Sequence, residues 1–231
     1  MLAIRPHVPA VWGVRLTTLA LAGLLSIAGL LVGTVNGWPI WVTGVAALVP
    51  WVPLFGVQTA RTYQRYQWLA LFYALVVTQT AHFFEHVAQM VQIHVLGLSG
   101  LAARGVFGAL DIEVVHFAWN TWVLVAIFAL LAVYRSNAWL WLVAALAGWH
   151  AIEHTFIFVV YLTTGVSGTP GLLSQGGVLA GGLPVSRPNL HFAYNLIETA
   201  PLLVAFLVQV RRTAVWGRTT TSAASASPAA Q

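Results

Sequence analysis

His82-Phe83-Phe84-Glu85-His86 lies inside a long apolar run, and the same pattern returns as His150-Ala151-Ile152-Glu153-His154. Each copy is followed by a second matched segment. His116-Phe117-Ala118-Trp119-Asn120 comes after the first and His191-Phe192-Ala193-Tyr194-Asn195 after the second. The order HxxEH, HFAxN, HxxEH, HFAxN reads as an internal duplication. An α-helix turns about 100° per residue, so positions i, i+3 and i+4 share one face. The spacing predicts that both imidazoles and the carboxylate of each HxxEH point the same way, a donor set suited to iron, zinc, copper or manganese.

The surroundings of these motifs are those of a membrane. Of 231 residues, 59% are hydrophobic and only 6% charged, where a soluble domain is about 25% charged. There is no cysteine, which removes disulfides, thiolate metal sites and cysteine-ligated iron–sulfur clusters. Methionine occurs only at positions 1 and 90, too sparse for a thioether copper site. The net charge of +5 comes from ten arginines dispersed along the chain. They form no basic stripe, so nucleic acid is not an expected partner; the lipid bilayer is.

A membrane-spanning helix needs about 20 apolar residues, and the breaks in hydropathy predict six. The first two run from about Leu16 to Val35 and from about Pro39 to Val57, with Pro50 and Pro53 placed to kink the second. Neither contains an ionisable residue, which suits scaffold or partner docking over residues 1–65. The polar link Gln58 to Arg65 leads to a third span, Trp68 to Leu96. After a Gly-rich loop come a fourth, Asp111 to Tyr134, and a fifth, Ala138 to Thr164. A connection with seven glycines, Gly165 to Arg187, precedes the sixth span, Pro188 to Val210. The fold expected is all-α and polytopic: helices 3–6 form a four-helix metal-binding bundle made of two parallel two-helix repeats, residues 66–135 and 136–210. The Ser/Thr/Ala-rich residues 211–231 read as a disordered cytoplasmic tail.

With both termini cytoplasmic in a plasma (inner) membrane, eight arginines lie inside and only Arg104 and Arg187 outside, a clear positive-inside bias. At about 1.5 Å per residue, His82 and His86 then lie roughly 21 and 27 Å above Trp68, and His150 and His154 roughly 18 and 24 Å above Ala138. His116 and His191 fall in the first turns of helices that start outside. Six histidines from four helices reach one depth, toward the outer face.

The simplest constellation gives each half one ion: His82, Glu85, His86 and His116 for the first, His150, Glu153, His154 and His191 for the second. Bridging glutamates would make the pair dinuclear. Asn120 and Asn195, one turn past His116 and His191, are candidate cofactor-binding or orienting residues. Glu198 has no counterpart in the first half, and with Glu113 it is a candidate for proton transfer. Asp111 and His94 sit near the mouth of the site, and His7 has no assigned role. The cofactor expected is two metal ions, iron first, with copper or zinc as alternatives and haem b as a different solution.

The function expected is that of a membrane oxidoreductase or oxygenase acting on an apolar substrate or quinol. With no nucleotide motif in the chain, electrons would come from quinol, an electron-donor protein or a larger membrane complex. A haem protein for electron transfer and a metal-ion transporter are the alternatives. HxxEH is also the pattern of one zinc hydrolase class, with Glu as general base.

Overall fold

The computed structural model describes residues 14–108 and 112–225. Seven α-helices are formed: α1 (Leu16–Val35), α2 (Ile40–Leu48), α3 (Val52–Tyr66), α4 (Trp68–His94), α5 (Ile112–Val133), α6 (Ala138–Thr164) and α7 (Arg187–Ser225). Short 3-10 turns occupy Val49–Trp51 and Gly100–Ala102. Among the described residues there is no strand, only an isolated bridge between Gly177 and Gly181.

Five helical stretches are long and apolar enough to cross a bilayer: Leu16–Val35, Ile40–Tyr66, Glu113–Val133, Ala138–Thr164 and Arg187–Thr213. The chain is thus a membrane protein by the length and composition of its helices. The prolines interrupt Ile40–Tyr66 where they were expected to, since Pro50 lies in the 3-10 turn that separates α2 from α3. α4 has the length, 27 residues. It lacks the apolarity because Gln79, His82, Glu85, His86, Gln89 and Gln92 dilute its second half.

Two boundaries differ from the sequence reading. The supposed polar link Gln58 to Arg65 is helical, part of α3, which ends only where Gln67 takes φ 42°. No helix breaker stands between Gly56 and Gln67, and Gln58 and Thr62 are buried, so the polar residues extend the helix instead of ending it. α7 likewise passes Val210 and continues to Ser225. Gly217 alone interrupts the helix-compatible residues there, so the disordered tail expected from residue 211 is helical as far as Ser225. Residues 226–231, His7 and Asp111 lie outside the described residues.

Helices α4 to α7 form a ring in which α4 packs on α5 and α7, and α6 packs on the same two. Each contributes an apolar half and a polar half. α4 runs from buried Leu69, Phe72 and Leu75 to Gln79, His82 and His86; α6 runs from Leu140, Val143 and Ala147 to His150, Glu153 and His154. α5 and α7 do the reverse, from His116 and Asn120 to Val123, Ile127 and Leu130, and from His191, Asn195 and Glu198 to Leu202 and Ala205. Antiparallel neighbours therefore stack like against like. One end of the ring is a dry core, where Phe72 meets Phe206 edge to face at 5.4 Å; the other end is a polar layer beneath the loops. Lipid is as apolar as leucine, so within a bilayer this core is held by packing rather than by exclusion of water. The dry end is tied off by Asn137, whose buried side-chain amide donates to Ala205 O at 2.9 Å.

The N-terminal helices stand to one side. α1 lies against α2, with Trp51 Nε1 donating to Ser26 Oγ at 2.7 Å, and α3 leans on α4.

Candidate metal centre

The six membrane histidines meet. His82, His86 and His116 form one triad and His150, His154 and His191 another, each offering one ligand atom per residue within 4.8 Å of the other two. Every triad is built the same way, from an i, i+4 pair on one helix and a single histidine near the start of the next. The triads also touch: the rings of His116 and His154 stack at 5.3 Å between centroids, and those of His86 and His191 at 6.4 Å.

Within each i, i+4 pair the Nε2 atoms face each other, 3.4 Å apart for His82 and His86 and 3.1 Å for His150 and His154. An ion bound to imidazole nitrogen at about 2.0–2.1 Å sets neighbouring ligand nitrogens about 3–3.4 Å apart. The spacing found suits two ligands on one ion as well as a hydrogen bond between the two rings. The second triad is also oriented from behind. His150 donates through Nδ1 to Glu198 Oε2 at 2.9 Å, and His191 through Nδ1 to the Arg187 carbonyl at 3.0 Å. Each bond puts the proton on Nδ1 and leaves the Nε2 lone pair free to bind a metal. His191 Nε2 is buried with no hydrogen-bond partner, an arrangement that costs free energy unless something binds there.

The carboxylates of the HxxEH motifs are turned elsewhere. Glu85 Oε1 accepts the Phe107 amide at 2.7 Å, and Glu153 Oε1 accepts the Leu172 amide at 3.1 Å. Neither belongs to a triad. Residue i+3 stands at the edge of the face that i and i+4 share, so a carboxylate there can swing outward. The backbone comes close enough to meet it at Gly105 and Gly171, both with positive φ (80° and 78°), where a Cβ would overlap Glu85 and Glu153 respectively. The donors that gather within 4.8 Å of one another are histidines; each glutamate holds the loop above it through Oε1, and Glu153 Oε2 is buried with no partner.

Asn120 and Asn195 occupy equivalent places, each donating its side-chain amide to the carbonyl of its histidine one turn earlier, at 2.9 and 3.0 Å. Asn195 Oδ1 in turn accepts Gln79 Nε2 at 3.1 Å, and Gln79 Oε1 accepts Trp119 Nε1 at 3.2 Å. This chain of bonds crosses the ring just below the histidines. Trp119 stacks on His82 at 5.1 Å, and Tyr194, its counterpart in the second half, lies 5.2 Å from the His150 ring.

Glu113 is 1% exposed and meets Arg187 in a two-pronged ion pair, with Nη1 to Oε1 at 2.9 Å and Nη2 to Oε2 at 2.7 Å. The Gly168 amide adds a third donor at 2.8 Å. Glu113 therefore clamps the long connection onto the bundle, whereas Glu198 is the acid in contact with a triad. His94 bonds to Asn189 Oδ1 at 2.8 Å, linking the end of α4 to the first turn of α7. Gln79, Trp119 and Arg187 escaped the sequence reading. Gln79 lies one turn before His82 and on its face, the one available hint.

A cavity of about 410 Å³ opens between residues 98–104 on one side and 167–168 with 186–188 on the other, and His86, His116 and His191 lie on its wall.

The chain matches no protein-family model, no curated protein and no solved structure.

Proposed function

We propose that the chain is an integral membrane metalloprotein whose two histidine triads hold a pair of ions, and that the pair is a redox centre taking electrons from quinol or another apolar reductant. The observation that carries this is the meeting of six imidazoles from four helices, with Nε2 spacings of 3.1 and 3.4 Å inside the pairs and ring contact between triads. In this reading α4 is a sixth span whose polar face is hidden inside the ring. The halves are a parallel repeat about an axis along the membrane normal. The arginine distribution supports cytoplasmic termini and a metal layer near the outer face. α1 to α3 are then available to dock a larger complex.

A mixed His/Glu set would favour iron, but the donors that gather within 4.8 Å are imidazoles. Among divalent first-row ions copper binds nitrogen donors most tightly, so copper leads and iron follows. Such ions supply one-electron redox changes. The chain's own residues hold His150 and His191 with their protons on Nδ1 and place Glu198 Oε1, a buried oxygen with no partner, behind the second triad.

The other readings fare less well on specific grounds. A zinc hydrolase of the HxxEH class needs its motif once per active site, whereas the motif stands twice here, once on each of two packed halves. Haem needs a slot for a flat macrocycle between axial rings, and histidine rings 4.7 to 5.6 Å apart leave little room for one. A transport site is expected near the midplane between repeats, not under one set of loops.

The test is anaerobic. The copper-loaded chain in lipid nanodiscs, mixed with a short-chain quinol, is expected to lose its Cu(II) electron paramagnetic resonance signal, with one quinol oxidised per pair of ions. An unchanged signal in fully loaded protein would contradict the redox role.

A further inference from the structure

Although the halves mirror each other in sequence, their histidines are not housed alike. All three members of the second triad are buried, while His116 of the first is only partly buried. The second triad has two imidazoles held from behind, by Glu198 and by the Arg187 carbonyl. In the first, the position that matches Glu198, seven residues after the HFAxN histidine, is Val123.

The cavity reinforces the difference. Two first-triad members, His86 and His116, line it. The second triad contributes only His191, whose Nε2 is shut away from solvent. Among the described residues the wall carries two arginines and no carboxylate. Arg187 is neutralised by Glu113, but Arg104 has no acidic partner among the described residues. An ion with three imidazoles and a free coordination position binds exogenous ligands, and the field of a guanidinium in a partly enclosed cavity selects negative ones.

We propose that the two metal positions are unequal: the ion on His82, His86 and His116 is open and takes a small monoanion, such as a short carboxylate, through the cavity walled by Arg104, while the ion on His150, His154 and His191 is closed. This rests on the two-ion reading above. The closed ion then serves as a fixed partner for the open one, and only the open one meets a ligand from the aqueous side.

The experiment uses the full chain in detergent, loaded with copper(II), and titrates azide as the probe, followed by its charge-transfer absorption. Copper per chain is measured on every sample. One azide per chain is expected. Arg104→Ala should weaken azide binding about tenfold with both coppers retained, and Arg104→Lys should restore most of it. His116→Ala should abolish the azide band while one copper stays, and His154→Ala should keep the band. Because His154→Ala can fail to fold, Glu198→Leu is the milder variant, and it too should leave azide binding intact. Azide on both ions or on neither, or an affinity indifferent to Arg104, overturns the inequality alone. A wild-type chain that takes up no copper overturns the two-ion reading itself.

Discussion

Glu198 reaches His150 from 48 residues away in the chain: the imidazole Nδ1–H donates to Oε2 at 2.9 Å, and both side chains are 1% exposed. A buried carboxylate behind a ligand histidine fixes the ring and raises its basicity, and loss of such a partner typically lowers metal affinity about 10- to 100-fold. Glu198→Leu is therefore expected to weaken one ion by that range and leave the other unchanged in a chelator competition. Glu198→Gln, whose amide oxygen still accepts, should do less. Equal weakening of both ions would contradict the assignment.

Glu85 and Glu153 hold loops, so their amide variants should be nearly silent for metal. Glu85→Gln and Glu153→Gln keep an oxygen that can accept Phe107 or Leu172 N–H, and the metal content per chain should match wild type. If either carboxylate were a ligand, the matching variant would lose an ion. Gly105→Ala and Gly171→Ala should instead destabilise the protein by about 1–3 kcal/mol each, since each adds a Cβ where φ is positive and the glutamate is in the way. Thermal unfolding in detergent reads both pairs.

The clamp between Glu113 and Arg187 predicts a non-additive pair. Arg187→Met takes the cation from a buried carboxylate, which costs about 3–5 kcal/mol. Glu113→Leu combined with Arg187→Met removes both charges and should recover much of that loss. If the double variant is no more stable than Arg187→Met, the ion pair is not what holds the connection.

Gln79 joins the halves through Trp119 and Asn195. Gln79→Leu leaves the Trp119 N–H and the Asn195 oxygen without their partner and should cost about 1–3 kcal/mol. Metal content should hold, because no triad member bonds to Gln79.

The parts of this arrangement that could be read from the chain are those set by helical geometry. His82 with His86 and His150 with His154 share faces because i and i+4 always do. The common depth of all six histidines followed from counting along helices whose ends were marked by arginine, proline and glycine. What lay beyond reach depended on contacts distant in sequence. The direction of Glu85 and Glu153 was decided by loops that fold back at Gly105 and Gly171, and nothing in HxxEH announces that competition. Arg187 served only as a topological charge, since its partner Glu113 is 74 residues away. The helix through Gln58 to Tyr66 was read as a link because polarity was taken for a break in structure, when no breaker residue was present.

The proposed centre holds two ions, one on each triad. The decisive number is metal per chain, measured by mass spectrometry on purified protein loaded in turn with copper, iron and zinc. Two ions per chain are expected for at least one of these metals, falling to one in His86→Ala and to one in His154→Ala. A folded wild-type chain that retains none of the three would contradict the account.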